Sequence, residues 1–235
     1  MPSLLLLSNS RNPGGEFLAH ARGAIAGLLG AEPRRLAFVP YAGVTITPDA
    51  YVARVREALS PLGHSVESLH EGDPVEVLRQ ATGVIVGGGN TFRLLERLYQ
   101  TDLLQRIRQK VLGGIPYLGW SAGANLACPT IRTTNDMPIV APPSLAGLGL
   151  VPFQINPHYT DDVLPNHGGE SRADRIAEFL LLNPAVPVVG LREGSWLRVE
   201  KGRVTLEGRH PMKLFRAGVP PEEIAAGADL TGLLG

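Results

Sequence analysis

The chain has 235 residues, in which 22 lysine and arginine residues balance 22 aspartate and glutamate residues, so the formal net charge is zero. A balanced charge argues against a surface that binds nucleic acid or anionic membranes, because such surfaces carry an excess of basic residues. Hydrophobic residues make up 44% of the chain, which argues against intrinsic disorder. The length fits a single domain over residues 1–235.

The sequence contains one cysteine, Cys128, and therefore no pair for an intrachain disulfide. Sparse cysteine is typical of proteins from a reducing compartment. The apolar run Leu4–Leu7 near the start is too short for a signal peptide or a membrane-spanning helix. We therefore expect a soluble cytoplasmic protein without a membrane or nucleic-acid partner, present as a monomer or a homodimer.

Short apolar runs alternate with helix-length amphipathic stretches in the first half of the chain. The predicted strands are Leu4–Leu7, Leu36–Val39, Val84–Val86 and Ile115–Leu118. The predicted helices are Glu16–Leu29, Pro48–Leu59, Pro74–Gln80 and Thr91–Lys110. Strands that are apolar at every position are typical of a parallel sheet covered on both faces. The alternation therefore predicts an α/β fold, with a mostly parallel sheet and helices on both of its faces.

The second half of the chain is less regular. Its predicted elements are a helix over Ser171–Leu182, a strand over Val186–Leu191, a hairpin of Leu197–Glu200 with Arg203–Leu206, and a strand over Met212–Phe215. Residues 129–170 form the longest stretch without periodicity. Long irregular segments in compact domains are usually functional, so we expect site residues in this one.

The strongest local motif is Gly119-Trp120-Ser121-Ala122-Gly123, which matches the G-x-S-x-G pattern of a nucleophile elbow. A predicted strand precedes the motif, and a short helix over Ala122–Ala127 is predicted to follow it. A sharp turn between a strand and a helix presents the serine hydroxyl above the edge of the sheet. The pattern favours Ser121 as a nucleophile over a glycine-serine turn without chemistry.

A second glycine cluster, Gly87-Gly88-Gly89-Asn90, lies between the predicted strand Val84–Val86 and the next predicted helix. It lacks the spacing of dinucleotide-binding and P-loop motifs. Three interpretations stay open at this point, namely a phosphate cradle, half of an oxyanion hole and a plain turn. A turn of this kind beside the serine favours the oxyanion hole.

A serine nucleophile needs a general base, and the sequence offers six histidines. His158 and His167 lie in the irregular segment, and we favour His158, although spacing alone does not choose between them. No histidine pair has zinc-site spacing, and one cysteine cannot build a thiolate site, so we expect neither a metal nor a cofactor. The pair Asp161-Asp162 is interpreted as a solvated loop rather than a cation site.

The base in turn needs a carboxylate that orients its ring, and two candidates remain. Asp136 lies in the irregular segment, whereas Glu193 closely follows the predicted strand Val186–Leu191. A carboxylate just after a buried strand is well placed for a site at the carboxyl edge of a sheet. This favours Glu193 modestly and leaves Asp136 open.

The segment from Gly119 to Pro138 resembles the peptidase E family, the α-aspartyl dipeptidases among the S51 serine peptidases. The resemblance extends to residues 87–92, 154–158, 169–172 and 193–196. It implies a flavodoxin-like sandwich related to the class I glutamine amidotransferases. It also implies a metal-free serine peptidase that removes an N-terminal aspartate from dipeptides, written Asp-X.

The same resemblance implies a role for individual residues. Ser121 would be the nucleophile and His158 the base, with Glu193 or Asp136 as the third member. The oxyanion amides would be those of Gly89 and Ala122.

For substrate binding, the matched segments contain Arg132 and Arg172 as partners for the aspartate side chain, because a guanidinium can hold a carboxylate through two hydrogen bonds. Asn90 would bind near the oxyanion. Residues 159–170 are a candidate lid.

Three other functions remain open at this point. They are a hydrolase of β-linked aspartyl peptides resembling cyanophycinase, a non-catalytic binding domain resembling the amidotransferases, and a general esterase.

Overall fold

The first strand shows how the chain comes to be organised around a sheet that is buried on both faces. In the computed structural model, which describes residues 2–162 and 168–235, all four leucines of Leu4–Leu7 are 0% exposed. Leu4 and Leu6 belong to one hydrophobic core, and Leu5 and Leu7 belong to the other. Successive side chains of a strand point to opposite faces, so a continuous leucine run requires cover on both sides.

A seven-stranded sheet lies between these two cores. Its strands are β1 (Leu4–Leu7), β2 (Arg35–Val39), β3 (Ser65–Ser68), β4 (Gly83–Val86), β5 (Tyr117–Trp120), β8 (Ser195–Glu200) and β9 (Arg203–Gly208). The strand order is β3-β2-β4-β5-β1-β8-β9. The first five strands are parallel, and β8 and β9 extend the sheet in antiparallel fashion. The predicted mostly parallel sheet is confirmed.

Helices cover both faces of this sheet, as predicted. They are α1 (Arg22–Leu29), α2 (Pro48–Leu59), α3 (Pro74–Gln80), α4 (Thr91–Gln100), α5 (Leu104–Leu112) and α6 (Ala122–Leu126). The buried side chains of α1 and α2 join the core of Leu5 and Leu7, and those of α3 to α6 join the core of Leu4 and Leu6. Thr47 and Asp73 cap α2 and α3, with proline at the first helical position in both cases.

Four further strands form a second, smaller sheet. The strands predicted over Val186–Leu191 and Met212–Phe215 are two of its members, but the sequence patterns did not predict a separate sheet. Its strands are β6 (Gln154–Pro157), β7 (Val188–Leu191), β10 (Met212–Phe215) and β11 (Glu222–Ile224), in the order β11-β10-β7-β6. The helix α7 (Arg172–Leu182) packs on this sheet through Ile176 and Leu180. Only β6 and β7 pair in parallel, so their carboxyl ends lie at the same edge.

Some of the predicted elements are wrong in detail. The helix predicted over Glu16–Leu29 begins only at Arg22, after a single 3₁₀ turn over Ala19–Ala21. The single helix predicted over Thr91–Lys110 is two helices, because the chain turns at Asp102, whose φ is 53°. The strand predicted over Ile115–Leu118 is shifted to Tyr117–Trp120, where Tyr117 pairs with Leu4 and Trp120 pairs with Leu7. The predicted hairpin is confirmed, and Lys201 and Gly202 at its turn both have positive φ, as a type I′ turn requires.

Candidate active site

Ser121 occupies a sharp turn between β5 and α6. Its φ of 52° and ψ of −112° place it outside the regions that a non-glycine residue normally adopts. Its amide donates to Leu7 O at 3.0 Å, which ties the turn to the first strand. A Cβ at Gly123 would lie 2.2 Å from Val86 O, so the turn packs this closely only with glycine there. The predicted strand-turn-helix geometry of an elbow is therefore present.

His158 lies directly after β6, and its ring reaches the serine. Its Nε2 is 2.9 Å from Ser121 Oγ, and its Nδ1 is 2.6 Å from Glu193 Oε1. An ionised carboxylate can only accept a hydrogen bond, so Nδ1 carries the proton that faces Glu193. Nε2 is then free to accept the proton of Ser121. These three side chains follow three different strands, β5 of the large sheet and the adjacent pair β6 and β7 of the small one.

The backbone of His158 is fixed by Ser8, a residue that sequence reasoning did not single out. His158 N donates to Ser8 Oγ at 2.8 Å, and Ser8 Oγ donates to Leu191 O at 2.7 Å. Ser8 follows β1 of the large sheet, whereas His158 and Leu191 belong to the small one. This buried hydroxyl therefore links the end of β1 in the large sheet to the ends of β6 and β7 in the small sheet, next to the catalytic candidates.

Asp136 lies in the same region, but the structure does not bring it to His158. Its Oδ2 accepts from Thr91 N at 2.7 Å, from Thr91 Oγ1 at 2.5 Å and from Thr134 Oγ1 at 3.1 Å. The carboxylate thus satisfies donors at the start of α4. Of the two predicted acids, Glu193 is the one that contacts the histidine.

Gly88 and Gly89 approach the serine from the neighbouring strand. A Cβ at Gly88 would lie 3.0 Å from Ser121 Cβ, and a Cβ at Gly89 would lie 2.2 Å from Ala42 O. Within residues 2–162 and 168–235, the amides of Gly89 and Ala122 donate to no backbone carbonyl. Neither predicted oxyanion amide is therefore taken up by a backbone carbonyl of the described residues, and Gly89 lines a cleft together with Ser121.

Asn90 is already engaged in its local structure. Its Oδ1 accepts from Arg93 N at 3.0 Å as the N-cap of α4, and its Nδ2 donates to Met137 O at 2.8 Å. Both ends of the side-chain amide therefore have partners, and its predicted contact near the oxyanion stays a prediction.

The two arginines predicted for substrate binding lie in different environments. Arg132 is exposed, and its guanidinium donates to Asn183 Oδ1 at 3.2 Å, outside the cleft at Ser121. Arg172 is half-buried, lines that cleft and donates to His158 O. Burial, together with the neighbouring charge of Arg175, lowers the pKa of Arg172. Of these two arginines, Arg172 is the one that lines the cleft at Ser121.

Two clefts meet at Ser121 and His158. The first, here called the polar cleft, has a volume of about 590 Å³ and is lined by Thr91, Ser121, Thr134, Asn135, Asp136, Pro157, His158, Tyr159, Thr160, Asp162, Arg172 and Glu193. The second, here called the aromatic cleft, has a volume of about 600 Å³ and is lined by Ser10, Phe17, Gly43, Val44, Thr45, Ile46, Tyr51, Arg54, Gly88, Gly89, Trp120, Ser121 and His158. A substrate whose scissile bond lies at Ser121 would thus have one cleft for the part before that bond and another for the part after it.

The carboxylate of Asp161 is already paired with the cationic side chains of Arg192 and Lys213. Burial alone would raise the pKa of its carboxyl, but hydrogen bonds from Lys213, Arg192 and Tyr159 outweigh burial and lower the pKa to about 2. In the part of the chain that the structure describes, no group of three or more histidine, cysteine or acidic residues is arranged to hold a metal ion. His167, together with residues 163–166 of the candidate lid, lies outside the described residues.

The sequence model of peptidase family S51 matches residues 4–207 of the chain. The chain belongs to peptidase family S51. The predicted family and the predicted serine peptidase activity are thereby confirmed. Cys128, just beyond the end of α6, is fully buried and belongs to the hydrophobic core of Leu4 and Leu6.

Close relatives align with nearly the whole chain. A protein from Streptomyces coelicolor named peptidase E is 55% identical over 234 residues, which cover 99% of this chain and 95% of the relative. A protein of the same name from Nostoc sp. is 49% identical over 221 residues, which cover 94% of this chain and 91% of the relative. The alignments thus extend beyond the elbow to both sheets.

Solved structures show the same fold at low sequence identity. The crystal structure of a peptidase from an acI-B1 Actinobacterium has a TM-score of 0.73 at 19% identity, covering 98% of this chain and 96% of that one. A putative peptidase E from Listeria monocytogenes has a TM-score of 0.64 at 23% identity, covering 89% and 99%. The α/β architecture of the S51 member is therefore confirmed. Within residues 2–162 and 168–235, no helix is both long and apolar enough to cross a membrane.

Proposed function

We propose that this S51 peptidase hydrolyses dipeptides with an α-linked N-terminal aspartate. The observation that carries the proposal is the hydrogen-bonded series Ser121–His158–Glu193 beside a cleft that contains Arg172. The name peptidase E of the relatives at 49–55% identity supports the same activity.

The geometry supports a two-step acyl transfer. His158 accepts the proton of Ser121 while Oγ attacks the carbonyl carbon that follows the aspartate. The amides of Gly89 and Ala122 donate to the oxyanion. His158 then protonates the departing nitrogen, the C–N bond breaks and the free amino acid leaves. Water, deprotonated by His158, hydrolyses the aspartyl-serine ester, and the proton returns to Ser121.

Arg172 provides the preference for aspartate in this proposal. Its guanidinium is half-buried in the polar cleft and held by His158 O, so its distance from Ser121 is set by the fold. An aspartate carboxylate reaches the guanidinium. A longer acidic side chain fits this fixed distance less well, and a neutral side chain lacks the charge that pairs with the guanidinium. Asp136 and Asp162 line the same cleft and favour a substrate with a free, positively charged α-amine.

Replacing Arg172 with methionine is expected to lower kcat/KM for Asp-Leu by about 100-fold, since a charged hydrogen bond to the substrate is lost. Cleavage of Asn-Leu should change little, because the neutral amide gains less from the guanidinium. Arg132→Met is the matched control and should retain wild-type kcat/KM for both peptides. An equal loss for Asp-Leu and Asn-Leu would contradict the role of Arg172 in selectivity.

The linkage and the free amine are tested with Asp-Leu, Glu-Leu, β-linked Asp-Leu and N-acetyl-Asp-Leu. The proposal expects rapid hydrolysis of α-linked Asp-Leu only. Cleavage of the β-linked peptide instead would retain the serine chemistry and overturn the substrate. Cleavage of the acetylated peptide at the same rate would exclude a required free amine.

The same proposal includes one peptidase domain over residues 1–235 and a cytoplasmic location. The alignment over 99% of the chain and 95% of the Streptomyces relative supports one functional unit. The cytoplasmic location is supported by the single, buried cysteine.

A further inference from the structure

The aromatic cleft has a charge pattern unlike that of the polar cleft. The polar cleft contains three acidic side chains besides Arg172. The aromatic cleft, within the described ranges 2–162 and 168–235, is lined by no acidic residue and by one arginine, Arg54. Because both clefts share Ser121 and His158, a peptide cleaved at Ser121 places its acyl part in one and its leaving part in the other.

Arg54 is held at this cleft by an aromatic side chain rather than by a counter-ion. Its guanidinium carbon lies 5.9 Å from the centroid of the Phe17 ring, and Phe17 packs edge-on against Trp120, with ring centroids 5.7 Å apart. By contrast, Arg56 on the same helix pairs with Glu71 at 2.7 Å. Arg54 forms no ion pair within the part of the chain that the structure describes, so its charge is available to a ligand.

We infer that the aromatic cleft is the subsite for the leaving amino acid and that Arg54 receives its free α-carboxylate. The inference rests on the proposed function and explains why the substrate would be a dipeptide. A longer peptide continues beyond its second residue and therefore has no free carboxylate at this position. Phe17, Ile46 and Trp120 offer apolar surface to the leaving side chain.

The test compares Asp-Leu with Asp-Leu amide, which lacks the carboxylate, in the wild type and in Arg54→Gln. We expect the wild type to prefer Asp-Leu in kcat/KM by about 10-fold, and Arg54→Gln to remove the preference by raising KM for Asp-Leu alone. The wild-type preference should also shrink as salt concentration rises, since Arg54 is exposed. Arg106→Gln, an exposed arginine paired with Asp102, is the control and should behave as wild type.

The outcomes separate this inference from the proposed function. Hydrolysis of Asp-Leu with the same preference in Arg54→Gln and wild type would overturn the subsite and leave the peptidase assignment intact. Equal losses for both substrates in Arg54→Gln would also overturn it, since the carboxylate would then be irrelevant. A wild-type enzyme that cleaves neither peptide would overturn the proposed function, and the subsite with it.

A second, independent observation concerns Tyr51, which is 5% exposed and lies behind the glycine turn. Trp120 Nε1 donates to Tyr51 Oη at 3.1 Å, and the Tyr51 hydroxyl donates to Gly88 O at 2.9 Å. Burial raises the pKa of Tyr51 to about 12, against smaller opposing effects of its hydrogen bonds and of Arg54, so the hydroxyl stays a donor. Trp120 immediately precedes the nucleophile candidate Ser121.

The peptide bond between Gly88 and Gly89 links this hydroxyl to the oxyanion hole. In a trans peptide the carbonyl and the amide N–H point in opposite directions. A donor that holds Gly88 O on the buried side therefore directs the Gly89 N–H toward the exposed side. The geometry points to Tyr51 as a positioning residue that aims the oxyanion amide of Gly89.

Tyr51→Phe removes the hydroxyl and keeps the ring. We expect kcat for Asp-Leu to fall about 10-fold with KM almost unchanged, because the oxyanion forms only during the reaction. Binding of an aspartyl aldehyde, whose adduct with Ser121 carries an oxyanion, should weaken by a similar factor, whereas binding of free aspartate should not change. Tyr41→Phe, which loses a hydrogen bond to Leu69 O outside the site, is the control.

Unchanged aldehyde affinity in a folded Tyr51→Phe protein would overturn the positioning role. The same holds if Tyr51→Phe and Tyr41→Phe lose kcat equally.

Discussion

Ser121→Ala is expected to lower kcat for Asp-Leu by about 10⁴-fold or more, because it removes the atom that attacks the carbonyl. Binding should survive, since the polar cleft, Arg172 and the backbone amides remain in place. Measurement of kcat by release of leucine, with Kd for Asp-Leu from calorimetry, separates the two effects. A chelator in every assay removes contaminating metallopeptidases from the measurement.

The folded state of the Ser121→Ala variant should resemble that of the wild type. Alanine carries the same Cβ as serine into the turn at φ 52°, and among the described residues the lost hydroxyl bonds only to His158 Nε2. A mass increase of one aspartyl group on the wild type after rapid quenching, absent from the variant, would identify the ester. Residual activity within 100-fold of wild type would contradict the nucleophile assignment.

Glu193→Gln is expected to give the second-largest loss, about 10³-fold in kcat. The carboxylate accepts the Nδ1–H of His158 at 2.6 Å and so leaves Nε2 as the acceptor for the serine proton. A glutamine amide can instead donate to Nδ1, which places the ring proton on Nε2 and blocks proton transfer from Ser121. KM should change less than kcat, because the ring acts during bond making rather than binding.

Asp136→Asn is the matched control for this substitution. Its carboxylate accepts from Thr91 and Thr134, so its replacement should lower the free energy of unfolding by about 1–2 kcal/mol and kcat by less than 10-fold. Thermal unfolding and kcat measured on both variants distinguish an acid that orients the histidine from one that caps a helix. A larger kcat loss in Asp136→Asn than in Glu193→Gln would reverse the assignment.

The features that the sequence predicted correctly depend on neighbouring residues in the chain. Apolar β1 and β4, the capped helices α2 and α3, and the Lys201-Gly202 hairpin each carry their own local signal. The elbow at Ser121 belongs to the same class, because a strand, a glycine-flanked serine and a helix are adjacent in the sequence. Local patterns suffice wherever the deciding contacts are a few residues apart.

The small sheet was predicted only in part: the strands predicted over Val186–Leu191 and Met212–Phe215 are present as β7 and β10, whereas β6 and β11 were missed. The missed strands are short and are specified by their partners. Gln154–Pro157 contains two polar side chains and a proline, yet all four residues are buried against Val188–Leu191. Ser8 likewise shows its role only once the two sheets have packed together, since it follows β1 of the large sheet and its contacts, Leu191 and His158, belong to the small one. The only local signal at Ser8 was a hydroxyl directly after a buried strand.

The sequence by itself determined the α/β class, the elbow and a short list of candidate bases and acids for Ser121. Each of these follows from local periodicity or from residues that are contiguous in the chain. Tertiary structure decided among the partners. Parallel pairing of β6 with β7 places His158 against Glu193, which is 35 residues away along the chain. Asp136 instead accepts hydrogen bonds at the start of α4. Packing of α7 brings Arg172 into the polar cleft and leaves Arg132 outside it. Contacts between distant segments depend on how strands and helices pack, and no local pattern contains that information.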